Sequence, residues 1–343
     1  MKKTVKNIFG LLLLGGLTCG LGAAEIAKYA GEFFSTGVGA RALGMGGAFV
    51  AGGGDVTSGY WNPAGLTDVN YPEIAAMHSE RFSGMVNYDY LGVAVPFRAT
   101  ESFAISGIRL GVDDIPITAI PRPDLRSDTT YTDENGNLVV NRPYVDHWVN
   151  DAEYAFFLSY ARMTSAAFSY GINAKILHKG VGEHSAWGFG FDIGMTWNPW
   201  KKFMLGVNLQ DVTTTILAWN TGTKELISPT LKTGIAYPFH FSLANTKLLL
   251  AADVDTRFEN REFASQMSAG PVSFDFRVGG ELLVYDVVAL RLGRDDLGYL
   301  TAGAGLCLPR LDVDYSFMNH TDLKETHRIS LRLRLEENKF ARK

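Results

Sequence analysis

The side chains best suited to metal binding are scattered along the chain rather than grouped. Seven histidines occur, and two of them, His178 and His184, flank the short stretch 179–183. A zinc site needs tighter ligand spacing and a second pair of ligands. The sequence therefore predicts no metal site and no cofactor, and these two histidines are interpreted as solvated residues of a turn.

Catalytic and nucleic-acid-binding patterns are also missing from the sequence. Serines are dispersed, and no motif pairs one with a histidine and a carboxylate, so no catalytic residue and no enzymatic activity are predicted. The acidic doublets Asp113-Asp114 and Asp295-Asp296 would be either weak calcium ligands or solvated loop charges. Basic residues are dispersed and the formal net charge is −4, which argues against nucleic-acid binding.

The N-terminus has the pattern of a secretory signal peptide. Three early lysines precede a short apolar run at 8–17, and small residues at 22–24 precede the expected cleavage point. The apolar run is too short to span a membrane. We expect residues 1–24 to be removed, leaving Cys307 as the single cysteine and no internal disulfide.

Beyond residue 70 the chain consists of segments that alternate in hydrophobicity and are separated by turn residues. This pattern is typical of transmembrane β-barrels, whose bacterial single-chain members have an even number of strands. The prediction is an all-β fold, an antiparallel transmembrane barrel of about 14 strands. The predicted strands are 71–79, 86–97, 101–110, 151–162, 166–179, 186–198, 201–212, 230–239, 245–258, 273–283, 286–294, 299–308, 311–318 and 326–335.

The two faces of these segments differ sharply in chemistry. In 186–198, large apolar residues such as Trp187, Phe189 and Trp197 share one face, while glycines and Asp192 share the other. A soluble sandwich or lipocalin-like barrel has the same period, but the aromatic content and strand length favour lipid. Backbone polar groups in lipid must be paired within the protein, so the strands must close into a ring. Its predicted lumen contains the charged residues Asp192, Arg277, Glu281, Asp312, Asp314, Arg332 and Arg334.

The lengths of the connections support the same strand count. Counting from the first strand, even-numbered connections are short almost throughout and odd-numbered ones are long, as periplasmic turns and outer loops are in outer-membrane barrels. The longest predicted loop, 111–150, contains Asn135-Gly136, which predicts a small hairpin. A loop of this length is a candidate for contact with a partner or ligand.

Ahead of the strands lies a glycine-dense stretch, 37–66, that lacks any phosphate-binding spacing. Such density suggests backbone packed closely inside a confined space. The run from Gly39 to Ala51, followed by 61–66, resembles the N-terminal plug of FadL-type outer-membrane barrels, and within them the PorV/PorQ family. The residues that carry the resemblance are Gly39, Arg41, Gly44, Gly46, Gly47, Asp55, Trp61, Asn62, Pro63, Ala64 and Gly65.

This resemblance implies a plug at 25–69, a barrel at 70–336 and a polar tail at 337–343, in the lipid of a bacterial outer membrane. For PorV/PorQ proteins it implies a component of type IX secretion that receives secreted cargo proteins and hands them to other secretion components. For FadL-type relatives it implies passive uptake of hydrophobic small molecules. The PorV/PorQ role is our main prediction, because the plug motif is closest to that family. The polar character of the predicted lumen also mildly disfavours fatty-acid uptake.

Overall fold

The computed structural model describes residues 25–26, 31–82, 84–200, 202–242, 245–259, 261, 264–320, 324–337 and 340–342. The predicted signal peptide, residues 1–24, lies outside the described residues, as does part of the predicted tail. Across these ranges, no helix combines the length and apolar character needed to cross a membrane.

Fourteen antiparallel strands form one closed ring, because the first strand pairs with both the second and the last. Each predicted strand corresponds to one of them, so the predicted fold class is confirmed. The barrel strands are β1 (Glu73–Arg81), β2 (Val86–Arg98), β3 (Glu101–Ala119), β4 (Tyr144–Ser165), β5 (Phe168–Val181), β6 (His184–Trp200), β7 (Phe203–Gln210), β8 (Thr230–Phe241), β9 (Thr246–Arg257), β10 (Val272–Val284), β11 (Val288–Arg294), β12 (Leu300–Cys307), β13 (Leu311–His320) and β14 (Lys324–Arg334).

The apolar faces of these strands point outward. Along β6, alternate residues from Trp187 to Trp197 are between 39% and 58% exposed, whereas Ala186 and Asp192 on the other face are buried. A soluble sandwich would bury the first set, so that alternative is wrong. An apolar exterior around a closed antiparallel ring is the architecture of bacterial outer-membrane proteins, and the chain accordingly belongs in that membrane.

The two ends of the barrel differ in the length of their connections. At one end the turns are short, as between β2 and β3 or β4 and β5. At the other, β7 and β8 are joined through the short strands Thr215–Trp219 and Lys224–Ile227, the first paired with β6 and the second with Glu25–Ile26. We call the end with the long connections the outer end, following the usual orientation of such barrels.

The predicted loop 111–150 is in large part strand, which corrects the prediction. β3 and β4 continue to pair past a bulge near Val112, as far as Ala119 opposite Tyr144. They form a two-stranded arm at the outer end. Beyond it, Thr130–Thr132 pairs with Leu138–Val140, and the hairpin predicted at Asn135-Gly136 is present.

Residues 31–69, which we call the plug, lie inside the ring and supply most of its large buried apolar side chains, among them Met45, Phe49 and Tyr60. The plug contains two short helices, α1 (Ala40–Gly44) and α2 (Ser58–Trp61), followed by a 3₁₀ turn at Pro63–Asp68. Pro63 fits the first position of that turn because it needs no N–H donor there. The core of the molecule is therefore the plug and the inner wall around it.

Candidate functional site: the plug and two chambers

The plug is in close backbone contact with the barrel wall at glycines. A Cβ atom at Gly171 of β5 would lie 2.5 Å from the carbonyl carbon of Pro63, and one at Gly303 of β12 would lie 3.2 Å from the Cα of Gly44. Gly46 has a φ of +68°, and an added Cβ there would collide with the backbone of Arg294. Dense glycine on both surfaces thus lets two backbones meet without intervening side chains.

On the side of β5, β6, β7 and β9, polar wall side chains bond to plug backbone. Asp253 accepts hydrogen bonds from the N–H groups of Phe49 at 2.6 Å and Val50 at 2.9 Å. Asn173 donates to the carbonyl of Gly59 at 2.8 Å. The fit is tight, since the cavity on this side measures only about 50 Å³.

Asn62 and Trp61 fix the turn that ends the plug against this wall. The Asn62 side chain accepts from the N–H of Ala64, which closes the turn, and donates to the carbonyls of Val50 at 2.9 Å and Met195 at 3.0 Å. The indole of Trp61 donates to the carbonyl of Val38 at 2.9 Å, and Asn208 donates to the Trp61 carbonyl. Ala64 and Gly65 are buried beside them.

On the side of β10 to β14 and β1, the plug is held mainly by ion pairs, and in addition Ser330 accepts from the N–H of Ala40 and Thr301 donates to the carbonyl of Gly44, both at 3.1 Å. Arg41 donates two hydrogen bonds to Glu281, at 2.9 and 2.8 Å, and lies 3.3 Å from Asp55. Arg332 of the wall also lies 3.3 Å from Asp55. Arg291 of β11 pairs with Glu281 of β10 and with Asp314 of β13, both at 2.7 Å. Bidentate arginine–carboxylate pairs of this kind are both strong and directional.

Asp55 is the plug carboxylate at the centre of this network. Burial alone would raise its pKa, but the Arg332 and Arg41 guanidinium groups, with hydrogen bonds from Thr57, hold the pKa of Asp55 below its usual value. The carboxylate is therefore ionised at neutral pH and keeps both cations in place.

A chamber opens toward the inner end of the barrel beneath this network. It has a volume of about 520 Å³. Its wall is strongly charged and includes Arg41, Glu281, Arg291, Asp312, Asp314 and Arg332.

A second chamber, of about 410 Å³, opens toward the outer end. Its lining combines apolar groups from the plug and wall with five arginines. The apolar set is Phe33, Leu43, Trp61, Leu110, Leu297 and Met318, and the arginines are Arg81, Arg257, Arg261, Arg277 and Arg328. Leu43, Gly46 and Gly47 border the outer chamber, while Arg41 borders the inner one, so the α1 segment is the partition between the two.

The structure places all the charged residues predicted for the lumen inside the barrel. Asp192 pairs with the buried Lys175 at 2.8 Å, and Arg277 pairs with Asp255 at 2.6 Å. The remaining five predicted residues lie on β10, β13 and β14. Among them, Asp314 pairs with Arg291, and Asp312 pairs with Arg332 and Arg334.

Several inward-facing residues were missed by the sequence reading. They lie on the inward face of correctly predicted strands: Lys175, Asp253, Arg291 and Arg328. Assigning every second residue of each predicted strand to the inward face would have found them. Asp296, interpreted as a loop charge, in fact reaches Arg277 at 2.8 Å. His178 packs on Trp187, with 4.4 Å between ring centroids, and no metal-binding group occurs within the described residues.

No protein-family model matches the chain, and no curated protein sequence is similar to it. Solved structures do resemble it. The toluene transporter TbuX of Ralstonia pickettii has a TM-score of 0.55 at 13% identity, with 87% of this chain and 98% of that chain covered. The toluene transporter TodX of Pseudomonas putida has a TM-score of 0.52 at 11% identity, with 88% and 99% covered.

A FadL homologue of Pseudomonas aeruginosa gives a TM-score of 0.51 at 12% identity, covering 87% of this chain and 98% of that one. At these identities the likeness concerns the fold. None of these three structures is described as a PorV/PorQ protein, so that finer resemblance stays a prediction. The chain has the fold of the FadL-type outer-membrane barrels, with its own N-terminal segment inside the ring.

Proposed function

We propose that the protein is a passive outer-membrane channel for small molecules that have an apolar body. This is the alternative function considered from the sequence, rather than the secretion role. The observation that carries it is the pair of chambers, about 410 and 520 Å³, separated only by the α1 segment. Two structures of the same fold are described as toluene transporters, which supports small-molecule passage as the use of this architecture.

In the proposed route a molecule enters the outer chamber, where Phe33, Leu43 and Trp61 supply part of the apolar lining. Passage requires the α1 segment to move away from the wall. Its contacts there are glycine backbones, the Arg41–Glu281 pair and two hydrogen bonds of 3.1 Å, from the N–H of Ala40 to Ser330 and from Thr301 to the carbonyl of Gly44. Arg41 can keep its charge compensated during the motion because Asp55 lies within 3.3 Å.

The test is uptake of radiolabelled toluene by intact cells that have a lipopolysaccharide outer leaflet and no other hydrocarbon channel. A bare phospholipid vesicle is unsuitable because toluene crosses it unaided. Expression of the protein should raise the initial rate, and Glu281→Gln should raise it further by weakening the partition. An equal rate with and without the protein would refute the channel.

A role in type IX secretion is the second candidate, favoured by the arm formed by the outer parts of β3 and β4. This arm exposes Ile117, Val145 and Trp148, which would suit contact with a cargo protein or another secretion component. Deleting 113–149 with a short linker should abolish secretion of sorted surface proteins in a host with that system. Unchanged secretion would exclude this role.

A further inference from the structure

Two of the arginines that line the outer chamber, Arg81 and Arg328, lie next to buried hydroxyl groups of the barrel wall. Ser79 of β1 lies opposite Tyr88 of β2 on one side and Arg328 of β14 on the other, and Arg328 lies opposite Ser316 of β13. Tyr88, Ser79 and Ser316 are fully buried and Arg328 is 4% exposed. Arg81, two residues after Ser79, lies on the same face and diagonal to Arg328.

Several polar atoms of these groups have no hydrogen-bond partner within the described part of the chain, although Arg81 also donates through Nη1 to the hydroxyl of Thr36 at 2.9 Å. The unpaired atoms are Tyr88 Oη, Ser79 Oγ, Ser316 Oγ, Arg81 Nε, and Nε and Nη1 of Arg328. A buried polar group without a partner costs about 1–3 kcal/mol, and more when charged. Native proteins leave few such groups, so several in one place indicate that water or a ligand supplies their partners.

The arginines of the outer chamber differ in whether a carboxylate pairs with them. Arg277 is paired with Asp255 and Asp296, and Arg261 with Asp275 at 2.7 Å. In the described residues, no carboxylate lies within 4.0 Å of Arg81 or Arg328.

The carboxylates that line the chamber are engaged elsewhere. Glu153 pairs with Lys179 at 2.8 Å. Asp295 accepts from the backbone N–H groups of Leu297 and Tyr299. Neither guanidinium group therefore has a directly paired carboxylate among the described residues, and both are available to an anion from outside the chain.

We propose that Arg328 and Arg81, with the hydroxyls of Tyr88, Ser79 and Ser316, bind an oxyanion in the outer chamber. The ligand class is a small organic acid, with its carboxylate on the guanidinium fork of Arg328 and its apolar body toward Met318 and Trp61. Planar guanidinium geometry suits a carboxylate bidentately, and it also suits phosphate. The proposal rests on the proposed function only in naming what enters the channel, because binding itself needs no passage.

The test is isothermal titration calorimetry of the purified full-length barrel in non-ionic detergent, with benzoate, inorganic phosphate and toluene as separate probes. Benzoate should bind, and Arg328→Gln should weaken it at least about tenfold. Phosphate bound as tightly as benzoate would identify a free inorganic anion as the occupant. Toluene bound as tightly as benzoate would overturn the oxyanion site.

Two further variants separate binding from folding. Tyr88→Phe removes only the hydroxyl and should weaken benzoate severalfold without lowering the melting temperature of the empty barrel. Arg328→Met should abolish benzoate binding while raising the melting temperature of the empty barrel, because an uncompensated buried charge is removed. A lower melting temperature would show that Arg328 is a structural residue.

Arg294→Gln is the matched control, since Arg294 is also near the outer end but bonds to the Gly298 carbonyl outside the proposed site. It should bind benzoate as the unmodified protein does. Equal affinity in the unmodified protein and Arg328→Gln, or no anion binding at all, would overturn the proposal. Benzoate binding without toluene uptake would refute the channel and leave this site standing.

Discussion

The plug is held differently on its two sides. On the side of β5, β6, β7 and β9, neutral amides and Asp253 bond directly to plug backbone, with a cavity of about 50 Å³ between the surfaces. On the side of β10 to β14 and β1, the plug lies between chambers of about 410 and 520 Å³. It is held there mainly by ion pairs, with only two wall hydroxyls, of Ser330 and Thr301, bonded to the backbone of α1. Side-chain bonds to fixed backbone allow one arrangement, whereas arginine can exchange one carboxylate for another. The comparison identifies a fixed side and a side able to move.

The largest expected effect comes from overfilling the fixed side. Gly171→Val should destabilise the protein by about 3 kcal/mol, since the added side chain displaces Pro63 and Ala64 from the wall. Gly180→Val on the same strand is the control, because a Cβ there meets nothing closer than 3.6 Å. Denaturant unfolding in detergent measures both. Equal losses would show that the close approach at Gly171 carries no special weight.

The next effect tests the hydrogen bonds of the fixed side. Asp253→Leu removes the acceptor for Phe49 and Val50 and should cost about 2 kcal/mol. Asp253→Asn retains one acceptor oxygen and should cost much less. Limited proteolysis of the plug, followed by mass spectrometry, reports whether it has loosened. If both variants were cleaved as slowly as the unmodified protein, the fixed side would owe its rigidity to packing alone.

The strands were predictable because the alternation of residues along them is local. The alternation of a few neighbouring residues is enough to assign Trp187 to the outward face and Asp192 to the inward face. β3 and β4 were predicted too short because the bulge near Val112 and the proline at position 116 interrupt the period of two. The surroundings of Arg328 were not predictable from the sequence. They depend on the pairing of β14 with β1, which closes the ring and brings Arg328 near Tyr88, a residue distant in the chain.

The same limit applies to the plug. Its glycine density was read correctly as close backbone packing, but its partners on the wall, such as Gly303 for Gly44, follow from three-dimensional pairing that no local pattern contains. The chambers exist where plug and wall fail to meet. Their position therefore depends on both surfaces together.

A smaller effect is expected on the side able to move. Arg41→Ala and Glu281→Ala each break this pair and leave the remaining group with only its second partner, Arg291 for Glu281 and Asp55 for Arg41. Each should therefore destabilise plug docking by about 1–2 kcal/mol, and the double variant by less than their sum. Channel current across a planar bilayer should rise in all three variants. Additive losses in the double-mutant cycle would mean that the pair does not couple plug to wall.

The smallest effect concerns pH and again distinguishes the two sides. Because the pKa of Asp55 is lower in the folded protein than in the unfolded chain, its stabilisation is complete above about pH 4. That stabilisation is lost as pH falls through the folded value. Between pH 7 and 5, Asp55 should therefore contribute no change in channel current, and its own protonation should increase openings only below about pH 4. Glu281 and Glu73 face the same arginines, so Asp55→Asn should reduce the acid response without removing it. An acid response that is the same in Asp55→Asn would assign the pH dependence to the wall carboxylates, and the plug would then be held on this side by Arg41 rather than by Asp55.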